Sequence, residues 1–186
     1  VSMSVERGEL LETHAYAFIH TTRPEEIFDM KFDVIIGNPP YQLDTGGAGR
    51  QAIPIYHLFV EQAIKLQPRF ISMIIPSRWF AGGMGLDSFS DSMKSCNKIK
   101  SIVDFANAKD CFPQNSISGR VCYFVWERDF SGECMVSNVN NGKTSTILRS
   151  WKDYKVIIRY NEAVSILQKI TQTNEFSLEQ VVSPLM

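Results

Sequence analysis

The sequence predicts an α/β domain, with parallel strands joined by crossover helices and an antiparallel hairpin at the end. Three observations carry this expectation. Apolar runs of strand length recur at Phe32–Ile36, Phe70–Ile75 and Ile99–Phe105. Between them lie segments with apolar residues at helical spacing, the alternation that builds a parallel sheet. A further run, Ile117–Trp126, returns after only a short loop. A parallel return needs a longer crossover, so this strand must pair antiparallel.

The 186 residues suit one domain and part of another, and a hydrophobic content of 44% allows a sizeable core. The net charge of −1 gives no bulk basic signature, although a local groove can be basic in a neutral protein. Cys96, Cys111, Cys122 and Cys134 show no C-x-x-C spacing and have no histidine nearby. No metal site is therefore expected, and a reducing, cytoplasmic setting is. Apolar runs are strand-sized, so no membrane span is expected. Val1–Glu6 has no basic region followed by an apolar one, so no signal peptide is expected either.

In chain order, residues 9–20 fit either a helix or a strand, and His14 and His20 read as ordinary histidines. Thr22, Pro24, Glu25 and Glu26 form a helix-start signal with Thr22 as the cap. Phe32–Ile36 then reads as a strand buried on both faces and bounded by Gly37.

Asn38-Pro39-Pro40-Tyr41 follows at once, where an open α/β sheet binds its ligands. These residue types suit the gripping of a planar amino group. The Asn38 side-chain carbonyl can accept one N–H and the Pro39 backbone carbonyl the other. The two prolines fix φ twice and keep the turn out of helix. Tyr41 offers a flat ring for stacking. Two acceptors on an NH2 raise electron density at its nitrogen, so no strong base is needed.

Residues 42–51 read as a mobile loop beside this turn, with Arg50 placed to meet a phosphate. The loop lacks the lysine and Ser/Thr of a P-loop. Ile53–Gln67 reads as a helix with Pro54 in its first turn, and Ile55, Leu58, Phe59, Gln62, Ala63 and Leu66 on one side. Gly82–Gly85 is a turn, and Leu86–Ser95 a second helix. Further on, Asn140-Asn141-Gly142-Lys143 between two apolar-alternating segments signals a hairpin. Asn161 is placed to cap a helix with Ala163, Ile166, Leu167 and Ile170 on one face. Lys143, Arg149, Lys152, Lys155, Arg159 and Lys169 make this part locally positive, either for phosphate or as a solvated face.

The order of these features resembles one family. Asn38–Tyr41 stands behind Phe32-Asp33-Val34-Ile35-Ile36-Gly37. It precedes an Ile75-Pro76 strand end, an Ile102-Val103-Asp104-Phe105 strand and a Phe112-Pro113 loop. Over roughly residues 15–128 the chain resembles the NPPY-type adenine-N6 DNA methyltransferases of type II restriction–modification enzymes. The resemblance implies a Rossmann-like, S-adenosylmethionine-dependent methyltransferase fold acting on double-stranded DNA. It implies catalytic roles for Asn38, Pro39, Pro40 and Tyr41, with Phe112 stacking on a flipped-out adenine opposite Tyr41. The family's glycine-rich cofactor turn and its acidic partner do not precede Asn38. Residues 1–128 are thus expected to be the carboxyl-side half of a catalytic domain, without a cofactor site of their own. Residues 129–186 are expected to lead into a DNA-recognition region. The Phe32–Ile36 strand should then have an unpaired edge, covered by residues 15–20 or by a second copy in a homodimer. NPPY alone also fits a glutamine amide or an RNA base as the acceptor, and the isolated chain could be a non-catalytic DNA-binding fragment.

Overall fold

The computed structural model describes residues 15–28, 30–43, 52–114, 119–150 and 157–172. Its centre is a six-stranded sheet. The strands are β1 (Val34–Gly37), β4 (Phe70–Pro76), β5 (Ile99–Phe105), β6 (Val121–Glu127), β7 (Cys134–Asn140) and β8 (Lys143–Arg149). Two short strands, β2 (Gln42–Leu43) and β3 (Ile53–Pro54), form a separate ribbon. The helices are α1 (residues 15–20), α2 (Tyr56–Lys65), α3 (Asp87–Ser95) and α4 (Asn161–Gln172).

The sheet order is β1-β4-β6-β5-β7-β8. Strand β1 runs parallel to β4 through the crossover helix α2, as the alternation of apolar runs requires. Strands β4 and β5 also run in the same direction, but they are not neighbours. β6 lies between them and pairs antiparallel with both. β7 runs parallel to β5 and turns back into β8, so the hairpin continues the sheet beyond residue 128. In consequence β1, β4, β5 and β7 all end at one edge of the sheet, and β6 begins there.

One face of the sheet carries the core. Ile71, Met73 and Ile75 of β4 stand directly opposite Trp126, Phe124 and Cys122 of β6, and Ile102 and Val136 extend the layer. Tyr56, Val60 and Ala63 of α2 and Phe89 and Met93 of α3 close over it. Each Val, Ile, Phe and Met among them contributes about 1.5–3 kcal/mol by leaving water. Trp79 is fully buried under the turn Ser77–Phe80 that follows β4.

The opposite face is open among the described residues. Val34, Ile36, Tyr123, Met135 and Leu148 all lie on it, and Ile36 is 77% exposed. Strand β1 is therefore not buried on both faces as its composition implies. Only Ile35 packs against the core. The outer edge of β1 has no strand partner among the described residues. Residues 15–20 do not pair with that edge as a strand. They are helical, and they pack on α2 instead: Phe18 faces Phe59 at 6.1 Å, and the Gln62 amide donates to the carbonyls of Phe18 and Thr21. Carbonyls at a helix end lack partners within the helix, and Gln62 satisfies two of them.

Other local expectations are corrected. Pro24–Glu26 is a single 3₁₀ turn whose cap position is Arg23, and the Thr21 hydroxyl, not Thr22, accepts the Arg23 N–H at 3.1 Å. Ile53 and Pro54 do not open α2, because they pair with Leu43 and Gln42 in the ribbon. The stripe of α2 facing the sheet is Tyr56, Val60 and Ala63 rather than Leu58, Phe59 and Leu66. In α4, Ile166 and Ile170 point outward. Asn161 starts that helix but does not cap it. Its amide donates to the carbonyls of Val136 and Ser145, each at 3.0 Å, tying α4 across the hairpin.

Two of the expected surface cations are internal. The Arg149 guanidinium donates to the Ile158 and Arg159 carbonyls. Arg159 meets both carboxylate oxygens of Asp104 at 2.6 Å and donates to the Ser77 hydroxyl and carbonyl at 3.0 and 3.1 Å. Asp104 is 2% exposed. Removing one partner of a buried pair strands the other charge and costs about 3–5 kcal/mol. Arg159→Met should lower stability by about that amount at neutral pH, read as a lower chemical-denaturation midpoint with an unchanged slope. An unchanged midpoint would show that the pair is not held in the native state.

Candidate active site

The site is built where the parallel strands end. β1 finishes at Gly37, and Asn38-Pro39-Pro40-Tyr41 continues without regular structure. Pro39 is buried and anchors the turn, while Asn38 and Pro40 are exposed. Next, the ribbon fixes how the chain leaves. The Tyr41 carbonyl accepts the Ile55 N–H at 3.2 Å, and Gln42 pairs with Pro54. The turn is thus held at both ends, by the sheet before it and the ribbon after it.

Tyr41 is half-buried, and its hydroxyl lies inside the protein without a hydrogen-bond partner among the described residues. Burial pushes this hydroxyl up to about 12, and the proximity of Cys111 and Cys122 adds to the shift. The phenol is therefore neutral across the physiological range and offers a ring rather than a base. Cys111 ends the turn Ala108–Asp110 that follows β5. The Asn107 side chain caps this turn, accepting the Lys109 N–H at 3.0 Å. Phe112 comes next. Its N–H donates to the Ala108 carbonyl at 2.8 Å, and its side chain is half-buried. The Asn38 turn and the Phe112 loop thus occupy the same edge of the sheet, one after β1 and the other after β5.

A cleft of about 310 Å³ opens beside Tyr41. Tyr41, Pro54, Tyr56, Arg78 and Arg120 are among its walls, and Asn38 and Phe112 are not. Arg50 and the rest of residues 44–51 lie outside the described residues.

The Eco57I restriction-modification methylase family model matches residues 2–112. The chain belongs to this family. It is also 36% identical over 170 residues to an uncharacterized adenine-specific methylase of Mycoplasma pneumoniae, covering 85% of this chain and 40% of that protein. The chain thus spans about 40% of the length of this curated relative. Among solved structures, a chain of a type I restriction-modification system overlaps at a TM-score of 0.47 with 15% identity, over 85% of this chain and 34% of that one. A type I methyltransferase subunit from Streptococcus thermophilus overlaps at 0.46 with 10% identity, over 86% and 36%. Both scores are low, so membership of the methylase family rests on the family model.

Methylases of this kind use S-adenosylmethionine, and the described residues do not fit its glycine-rich cradle. The one glycine cluster among them, Gly82, Gly83 and Gly85, follows a 3₁₀ turn and not a strand. It is filled from within. The Asp87 carboxylate accepts the Gly83 N–H at 2.9 Å, and a Cβ on Gly82 would meet that carboxylate at 2.5 Å.

Sequence reasoning named Asp104 only as a strand residue and Arg159 only as a local cation, and it gave Arg78 and Arg120 no role at this edge. Asp104 carried a signal, since a carboxylate amid the strand residues Ile102, Val103 and Phe105 needs a buried partner.

Because burial favours the neutral phenol, Tyr41 should hold its proton as pH rises past 10, the ordinary tyrosine value, and lose it only near 12. The tyrosinate absorbance of the native protein minus that of Tyr41→Phe should show no component titrating near 10. A component there would place the hydroxyl in water.

Proposed function

We propose that the whole protein is a DNA adenine-N6 methyltransferase of a restriction–modification system, and that this chain holds the reacting base. The observation that carries this reading is the exposed Asn38 on a turn anchored by buried Pro39, at the end of β1 and next to the cleft walled by Tyr41. The Asn38 side-chain carbonyl accepts one N–H of the adenine amino group, and the Pro39 carbonyl accepts the other. Both bonds polarise the nitrogen toward attack. Its surplus proton leaves after the new N–C bond has formed, so Tyr41 need not act as a base.

Tyr41 stacks on the adenine, and Phe112 approaches from the β5 end. A base inside a duplex cannot reach such a site, so the adenine is flipped out, at an unstacking cost of a few kcal/mol that aromatic contact offsets. In the whole protein S-adenosylmethionine would supply the methyl group, its sulfur keeping the electron pair of the broken S–CH3 bond. Residues 129–186 add the β7–β8 hairpin to the sheet and from there lead toward a DNA-recognition region. The edge of β1 and the sheet face left uncovered among the described residues receive the rest of the protein or a second copy. The substrate is double-stranded DNA in the cytoplasm.

Asn38→Ala in the full-length protein should reduce methyl transfer by roughly 10²–10³, the size of effect seen for one positioned hydrogen-bonding group, while duplex binding is largely kept. Transfer of radiolabelled methyl and a binding isotherm on the same preparation check both halves. Near wild-type transfer by this variant would remove the role of Asn38.

A further inference from the structure

Two guanidinium groups in the cleft beside Tyr41 have no task in the account above. Arg78 stands on the 3₁₀ turn Ser77–Phe80 after β4, and Arg120 immediately precedes β6. Both are exposed. Among the described residues neither meets a carboxylate, and none of those lining the cleft is acidic. Arg159 also lines it, but Asp104 neutralises that charge. Arg120 lies over the Tyr160 ring at 5.7 Å, a contact that leaves its charge intact. A chain with a net charge of −1 therefore places two positive charges, uncompensated among the described residues, next to the proposed catalytic turn.

Their placement is set by the backbone. Pro76 pairs with Val121 at the end of the β4–β6 ladder, and the Ser77 N–H donates to the Arg120 carbonyl at 3.0 Å. Ser77 and Trp79, which flank Arg78, are both completely buried. Each arginine is thus rooted in a fixed segment and presents its head to solvent in the same cleft.

We propose that Arg78 and Arg120 form a clamp for the DNA phosphates that flank the flipped-out nucleotide. This rests on the function proposed above. A guanidinium offers a planar fork that matches phosphate oxygens two at a time. Phosphate contacts fix the register of a nucleic acid without reading its sequence. A base stacked on Tyr41 brings the phosphates of its own sugar with it, so cations in the wall of the Tyr41 cleft lie where those phosphates must pass.

The test is the salt dependence of binding by the full-length protein to a duplex bearing the site that the wild type methylates. Each phosphate contact contributes about 0.9 to the slope of log K against log salt. The double variant Arg78→Gln/Arg120→Gln should flatten that slope by about 1.8 relative to wild type, and each single variant by about half as much. Arg78→Lys/Arg120→Lys, which keeps the charge, should restore it. Thermal unfolding of all variants checks that the fold is intact. If the wild type methylates DNA and the double glutamine variant keeps the full slope, the clamp is overturned while the proposed function stands. If the slope loss appears with single-stranded RNA and not with duplex DNA, the assignment to DNA is overturned. A wild-type protein that methylates no DNA overturns the proposed function, and the clamp with it.

Discussion

Asp104 and Arg159 are separated by 55 positions, and their contact joins the last described segment to the heart of the sheet. The carboxylate is buried at the end of β5, beside β6 and β7. An isolated charge there would be prohibitive, so Arg159 must be present for the strand to sit where it does. The same guanidinium donates to the Ser77 hydroxyl and carbonyl, which fixes the turn after β4. Its own backbone carbonyl accepts from Asn138 and Arg149 in the hairpin. One ion pair thus holds together the turn that carries Arg78, the hairpin and the entry to α4.

That junction lies at the edge where the parallel strands end. The Asn38 turn follows β1, the Arg78 turn follows β4, the Phe112 loop follows β5, and Arg120 leads into β6. The β7–β8 turn arrives there too, since the Asn141 N–H donates to the Asp110 carboxylate at 3.1 Å. Strand direction alone therefore gathers the Asn38 turn, the Phe112 loop, Arg78 and Arg120 onto one side. Open α/β sheets bind ligands at this edge for the same reason.

The parts legible in the sequence were those that depend on near neighbours. Strands β4, β5 and β6 show as apolar runs, and the Asn141-Gly142 turn marks the hairpin, because these signals are local. The irregular turn Asn38–Tyr41 after β1 was legible for the same reason. What depends on distant partners was not. Helix α2 carries two apolar stripes, and periodicity cannot say which one meets the sheet. Phe59 goes to Phe18 of α1, while Tyr56, Val60 and Ala63 go to the core. The insertion of β6 between β4 and β5 leaves no mark on either strand. Val34 and Ile36 read as buried because an all-apolar run suits a sheet covered on both faces. Among the described residues only one face is covered. Arg149 and Arg159 resembled surface cations because composition does not reveal which carbonyls and carboxylates they will meet.

The account's central claim is that the turn at the end of β1 presents the amino group of adenine for methylation. Nucleoside mass spectrometry of DNA from cells expressing the full-length protein, in a host without adenine methylation, tests it most directly. N6-methyladenine should appear as the new modified nucleoside. Methylated cytosine in its place, or no modified nucleoside from a protein that is folded and binds S-adenosylmethionine, would contradict the account.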